Sequence, residues 1–141
     1  MFKNVPFKKE HLQFLLSQKL NIPVKESFNN GIAEGLERTK SETIMCDDVP
    51  MACGGVVEIW PGRGQIWCLF SEESKDKFLP VFRGIKKFID SCDFDRMELS
   101  VPIGLEVGAR RAQMLGFEVE CPLAKKFLPG GIDCTLFSRV R

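Results

Sequence analysis

The stretch Arg96–Glu120, RMELSVPIGLEVGARRAQMLGFEVE, reads as strand, helix and strand in one short run. Met97, Leu99 and Val101 alternate with Glu98 and Ser100, the period of a half-buried strand. Pro102 and Gly104 stop it. Leu105, Gly108, Ala109, Ala112 and Leu115 then recur at helical spacing, with Arg110, Arg111 and Gln113 turned away. Gly116 supplies a left-handed cap, and Phe117, Val119 and Cys121 start a new alternation. The small side chains at 108, 109 and 112 imply a helix lying close on a sheet.

Outward from this unit the chain gives one order of elements. Phe2–Phe7 is a short edge strand, with Pro6 limiting its pairing. Lys8–Leu20 is a helix striped by Leu12, Leu15 and Leu16. His11 sits at the stripe's edge as a structural histidine with no partner in the local sequence. Asn29-Asn30-Gly31 is a turn signal, and a helix from Gly31 to Lys40 follows. Glu26–Asn30 is a helical turn or a loop. Ser41–Cys46 is a strand and Asp47-Asp48-Val49-Pro50 a turn. Met51–Trp60 and Gln65–Phe70 form a hairpin around Pro61-Gly62-Arg63-Gly64. Gly54-Gly55 marks a bulge or a close backbone approach. Ser71–Cys92 is helical, and Pro80 either kinks it or marks the first turn of its main helix. The chain closes with a hairpin, Glu118–Lys126 returning as Ile132–Arg139. The class is α+β in a single domain, residues 1–141, with a mixed central β-sheet flanked by helices.

Composition narrows the function classes. With 20 basic and 19 acidic residues the net charge is +1, so no overall field recruits nucleic acid or an anionic membrane. No stretch approaches the roughly 20 apolar residues of a membrane span, and no signal-peptide core opens the chain. The six cysteines lack metal-ligand spacing and read as reduced thiols of a cytoplasmic protein; no metal is expected. Lys125, Lys126, Arg139 and Arg141 suggest a modest basic patch beside the last hairpin. Trp60 and Trp67 flank the central hairpin as packing residues.

The order of elements, with the strand Met97–Val101, the helix Leu105–Leu115, the pair Gly116-Phe117 and the closing hairpin, resembles the GNAT (Gcn5-related N-acetyltransferase) fold, a three-layer α/β/α arrangement. The resemblance implies acetyl-CoA bound where the strands Gln65–Phe70 and Met97–Val101 splay, its pantetheine arm lined by Cys68, Leu69 and Phe70. It implies an amine-bearing acceptor walled by the region Asn21–Lys40. The family's glycine-bearing pyrophosphate motif corresponds to Ser71–Lys77, which has no glycine and carries Glu72, Glu73 and Asp76 at the helix start. Those acids suit a helix N-terminus but oppose a diphosphate. Lys75 and Lys77 offset part of this. The tyrosine many members use as general acid falls at Ala112, and the chain has no tyrosine. The asparagine often found at that helix start falls at Leu105. Glu58, on the strand beside Val56 and Trp60, is the candidate general base, its pKa raised by apolar neighbours.

Two readings stay open. One is an acyl-CoA-dependent N-acyltransferase with a degenerate pyrophosphate loop. The other is a non-catalytic structural or interaction protein on the same scaffold, working with protein partners. The glycine-free helix start and compact closing helix–hairpin resemble the GNAT-like internal virion proteins of tailed phages, which would place the chain in a host cytoplasm or a virion.

Overall fold

A computed structural model describes residues 1–28 and 31–141, leaving aside the side chains of Pro23 and Glu26. The turn read at Asn29-Asn30 therefore lies outside the described residues. Among those residues the alternating stretches form seven strands: β1 (Phe2–Pro6), β2 (Lys40–Cys46), β3 (Val49–Trp60), β4 (Arg63–Phe70), β5 (Arg96–Pro102), β6 (Glu118–Leu128) and β7 (Ile132–Val140). The helices are α1 (Lys9–Leu16), α2 (Ile32–Glu37), α3 (Phe78–Asp90) and α4 (Glu106–Met114), with 3-10 segments at Lys19–Phe28 and Glu72–Lys77. Strands follow one another in the sheet as β1-β2-β3-β4-β5-β7-β6; β4 pairs with β5 in parallel, whereas β1–β2, β2–β3, β5–β7 and β6–β7 are antiparallel. This is the mixed α+β sheet with flanking helices that the sequence implies.

The described chain falls into two compact units, interleaved in sequence: Met1–Val57 with Trp67–Cys92, and Glu58–Ile66 with Asp93–Arg141.

In the first unit β1 runs antiparallel to β2 from Phe2↔Cys46 to Pro6↔Glu42. The turn into β3 is tighter than the four residues read from sequence. Asp47 and Asp48 both take positive φ, at 49° and 69°, and β3 begins at once with Val49. Two left-handed residues in a two-residue loop match the twist of the strands they join, and aspartate tolerates that region. One core cluster gathers Phe7, Leu12, Leu15, Leu36, Cys53 and Leu69. A second holds Ile44, Cys46, Met51, Ala52 and Val81. Leu12 and Leu15 are almost wholly buried, and each contributes about 2 kcal/mol.

Two helices are shorter than their periodicity suggests, because polar side chains end them. Helix α1 stops at Leu16: the Ser17 hydroxyl donates to Phe14 O at 2.6 Å and the buried Asn21 amide donates to Leu15 O at 2.8 Å. These donors satisfy carbonyls that a helix end leaves open. Helix α2 stops at Glu37, with the Thr39 and Ser41 hydroxyls on Leu36 O at 2.7 and 3.0 Å. Pro80 is the third residue of α3, where its missing N–H is not required. Of the two readings of Pro80, the first-turn one holds.

Gly54 and Gly55 mark close approach. A Cβ on Gly54 would lie 2.6 Å from Trp67 O, and one on Gly55 would lie 2.6 Å from Lys40 O.

In the second unit β7 is the middle strand of the closing part. It pairs with β5 over seven residues, from Arg96↔Val140 to Pro102↔Cys134, and with β6 on its other side. The parallel β4–β5 ladder has three pairs, Arg63↔Arg96, Gly64↔Met97 and Gln65↔Glu98. The connection from β3 is the pair Pro61-Gly62, with Gly62 at φ 93°. Helix α4 lies on β5, where a Cβ at Gly108 would sit 3.0 Å from Val101 Cγ1. Gly116, at φ 91°, ends α4, the Phe117 N–H reaches Ala112 O at 3.1 Å, and Phe117 is buried. Strand β6 is irregular. Its register against β7 shifts three times, and Cys121, Ala124 and Leu128 alone along it are less than exposed.

Candidate functional site

Strand β4 brings Cys68, Leu69 and Phe70 to its end, with Leu69 buried and its neighbours half-buried. Directly beyond, the start of the 3-10 segment is closed by side chains. Ser71 is wholly buried; its N–H donates to Met51 O at 2.8 Å and its hydroxyl accepts from the Ser74 N–H at 3.1 Å. The Glu72 N–H donates to Gln18 Oε1 at 2.8 Å, and Gln18 Nε2 donates to both Glu73 carboxylate oxygens at 2.8 and 3.3 Å. The Gln18 bond, then the Glu73 backbone, holds the Glu73 carboxyl below its ordinary pKa. Asn21 Nδ2 also donates to Phe70 O at 2.9 Å. Thus Gln18 and Asn21 tie the end of α1 to the end of β4. Lys75 and Lys77 are exposed on the same segment.

Gln18, which closes this segment's start, is a residue that sequence reasoning missed. It lies 54 positions from Glu72, and no local pattern marks it.

Trp67 lies in the same unit, its ring edge-on to Phe7 at 5.1 Å and tilted to Phe28 at 5.7 Å. Its indole Nε1 is shielded from solvent and has no acceptor among the described residues. His11 has the partner the local sequence lacks. Its Nδ1 is 2.7 Å from Oγ1 of the fully buried Thr43 and accepts from the Lys8 N–H at 3.1 Å. The ring is therefore neutral, with its proton on Nε2. Burial, reinforced by Lys8 and opposed by Glu10 and Glu37, lowers the His11 pKa from 6.5.

A pH dependence follows. The folded state binds fewer protons at His11 than the unfolded chain, so this contribution is intact above the unfolded value of 6.5. It is lost as pH falls from there toward the depressed folded pKa. The urea midpoint should drop as pH falls below about 6.5, and His11→Asn should flatten that slope. An unchanged slope in the variant would remove His11 as its source.

Glu58 is exposed near the end of β3, next to Ile59 at 41% and Trp60 at 58% exposure. The apolar enclosure that its strand neighbours suggest is absent. Arg63 lies over the Trp60 ring at 4.5 Å. From Arg63 a charge ladder crosses the sheet. Arg63 Nε and Nη2 donate to Glu98 at 2.5 and 3.0 Å, Arg96 Nε to Glu98 at 2.7 Å, and Arg96 Nη1 and Nη2 to Glu120 at 2.8 and 2.6 Å. The Arg96 guanidinium, then Ser138, holds Glu120 down to about 2. Arg63, then Arg96, keeps the buried Glu98 charged against the cost of burial. Trp60, Pro61, Gly62, Arg63, Asp95, Arg96 and Glu98 line an open depression of about 380 Å³. Both guanidiniums there are already committed to carboxylates.

Other sequence-read positions fall elsewhere. Ala112 is buried in α4 and Leu105 is half-buried. Of the four basic residues read beside the last hairpin, Arg139 donates to Leu115 O at 3.2 Å and Arg141 pairs with Asp93, while Lys125 and Lys126 are exposed on β6. None of the six cysteines is in a disulfide, and among the described residues no three His, Cys, Asp or Glu gather to hold a metal. Among the same residues no helix is long and apolar enough to cross a membrane.

No family model and no curated protein matches the chain. Solved structures do. A GNAT-family acetyltransferase from Bacillus anthracis superposes with TM-score 0.70 at 10% identity, over 99% of this chain and 94% of its own. A spermidine N-acetyltransferase, the SpeG chimera from Vibrio cholerae and hSSAT, gives 0.71 at 12% over 99% and 95%. The YncA structure from Salmonella typhimurium, which contains its cofactor acetyl-CoA, gives 0.73 at 8% over 99% and 94%. At these identities the likeness shows the fold: this chain is built as GNAT acetyltransferases are.

Proposed function

We propose that the chain is an acetyl-CoA-dependent N-acetyltransferase for an amine-bearing acceptor, with a weak hold on the diphosphate of its cosubstrate. The observation that carries this is the match of fold over 99–100% of the chain to acetyltransferases, one of which contains acetyl-CoA and another of which is a spermidine enzyme.

The residues fit an acyl-CoA in part. Cys68, Leu69 and Phe70 on β4 would run along the pantetheine arm, and Lys75 and Lys77 would face its phosphates. The start of the Glu72–Lys77 segment does not fit a diphosphate as it stands. The Glu72 and Ser74 amides are bonded to Gln18 and Ser71, and Glu72 and Glu73 add negative charge. When bound, the thioester supplies the acetyl group. Glu58 would take the proton that the acceptor amine sheds as its nitrogen attacks, and with no tyrosine in the chain Cys68 or a water would supply the proton to the leaving thiolate.

Calorimetry tests the reading. Acetyl-CoA should bind with Kd on the order of 0.1–1 mM, and transfer to spermidine should fall about tenfold in Glu58→Gln, below the usual general-base range because the side chain is open to water. Micromolar affinity would overturn the closed amide start. No binding at several millimolar would remove acetyl transfer altogether. The same Gln18 closure supports a second reading, a GNAT-fold interaction protein without turnover, and total failure to bind acetyl-CoA is the result that favours it.

A further inference from the structure

The terminal strand of the second unit carries three large apolar side chains in water. Val119, Leu123 and Phe127 of β6 are 45%, 48% and 51% exposed. Strand β6 ends the sheet order, so its outer side meets no strand among the described residues. The opposite terminal strand, β1, is five residues long and exposes no large apolar side chain from Phe2 to Pro6. A long apolar edge is open to strand addition unless something specifies its partner.

The charges along β6 specify one. Its first part carries Glu118 and Glu120, and its last part carries Lys125 and Lys126, with Pro122 between them. We propose that β6 is a self-association edge, on which a second copy of this chain pairs antiparallel about a two-fold axis near Pro122. In that arrangement Glu118 of each copy meets Lys125 and Lys126 of the other, and Leu123 of one lies near Leu123 of the other. A two-fold interface uses one patch twice, so the patch must be self-complementary, as this one is. Parallel pairing would set glutamate against glutamate and lysine against lysine, which destabilises cross-strand neighbours.

Pro122, the lysines and the three register shifts are also devices that blunt an edge. Here they select rather than close it. Pro122 has no N–H to offer at the centre, the shifts interrupt any long ladder, and the lysines repel every approach except one that brings carboxylates. Glu120 is already bound to Arg96, so Glu118 is the acid left to cross the interface.

The test is sedimentation equilibrium of the whole chain over a micromolar-to-millimolar series. The wild type should show a monomer–dimer equilibrium. Glu118→Lys and Lys125→Glu should each weaken it roughly tenfold, because every substitution acts twice across the axis. Mixing the two variants should restore association as a heterodimer, since each supplies the charge the other lacks. Circular dichroism matching wild type shows that both variants fold. A wild type monomeric throughout, a dimer unaffected by either variant, or a mixture that stays monomeric would each overturn the proposal.

Discussion

Gly55→Ala lowers the stability of the first unit by about 3 kcal/mol, near the top of the range for overpacking. The reason is the identity of the atoms in the way. A Cβ at 55 would sit 2.6 Å from Lys40 O, 2.7 Å from Ser41 Cβ and 2.9 Å from Ser41 Cα. Two of these are backbone atoms of β2, which is held between β1 and β3, so no flexible side chain can swing aside. Relief requires β2 to shift along Lys40–Ser41, which strains its ladder to β3. Gly54 imposes the same condition on the other neighbour, with Trp67 O at 2.6 Å. Consecutive glycines thus let β3 draw in a strand on each side. The check is urea unfolding of wild type and variant at one pH. A loss under about 1 kcal/mol would mean that β2 reseats without cost.

Glu98→Ala should destabilise by a similar amount, about 2–3 kcal/mol. Removing this carboxylate takes bonds from two guanidiniums at once and leaves Arg63 and Arg96 side by side. Glu98 is 6% exposed, whereas both arginine side chains are 30% exposed. Water therefore recovers part of the cost at the arginine end, and the estimate stays below that for a wholly buried pair. Glu98→Gln retains acceptor capacity without charge and should fall between alanine and wild type. The distinguishing measurement is a double-mutant cycle with Arg63→Met. If Glu98 matters only through its packing, the two effects will add; a coupling above about 0.5 kcal/mol assigns the loss to the ion pair.

How far the sequence could be read follows the distance over which each signal acts. The order of strands and helices was legible because alternation, helical spacing and turn residues are local. The stretch Arg96–Glu120 contains its own strand, its own cap and the glycine that brings α4 onto β5. Helix ends were less legible. Asn21 ends α1 from outside the helix, and Ser41 helps end α2 from the next strand. The site was legible only as a set of positions. Glu98 reads in sequence as the polar half of an alternation, yet its first partner lies 35 residues away. Thr43 is 32 residues from His11. Glu58 shows the converse: its neighbours in sequence are apolar, but Ile59 and Trp60 are exposed with it at the end of β3, so they enclose nothing. Long-range pairing of polar groups has no periodicity, and pattern reading has no purchase on it.

The position of β7 has a consequence for biosynthesis. In chain order it is the final strand of its unit, but in space it stands between β5 and β6 and bonds to both. A ribosome that has released everything up to Gly131 has delivered two strands with nothing to join them. Until Ile132–Val140 emerges, β5 and β6 each hold a bare edge, and the second unit cannot close before that stretch has left the ribosome.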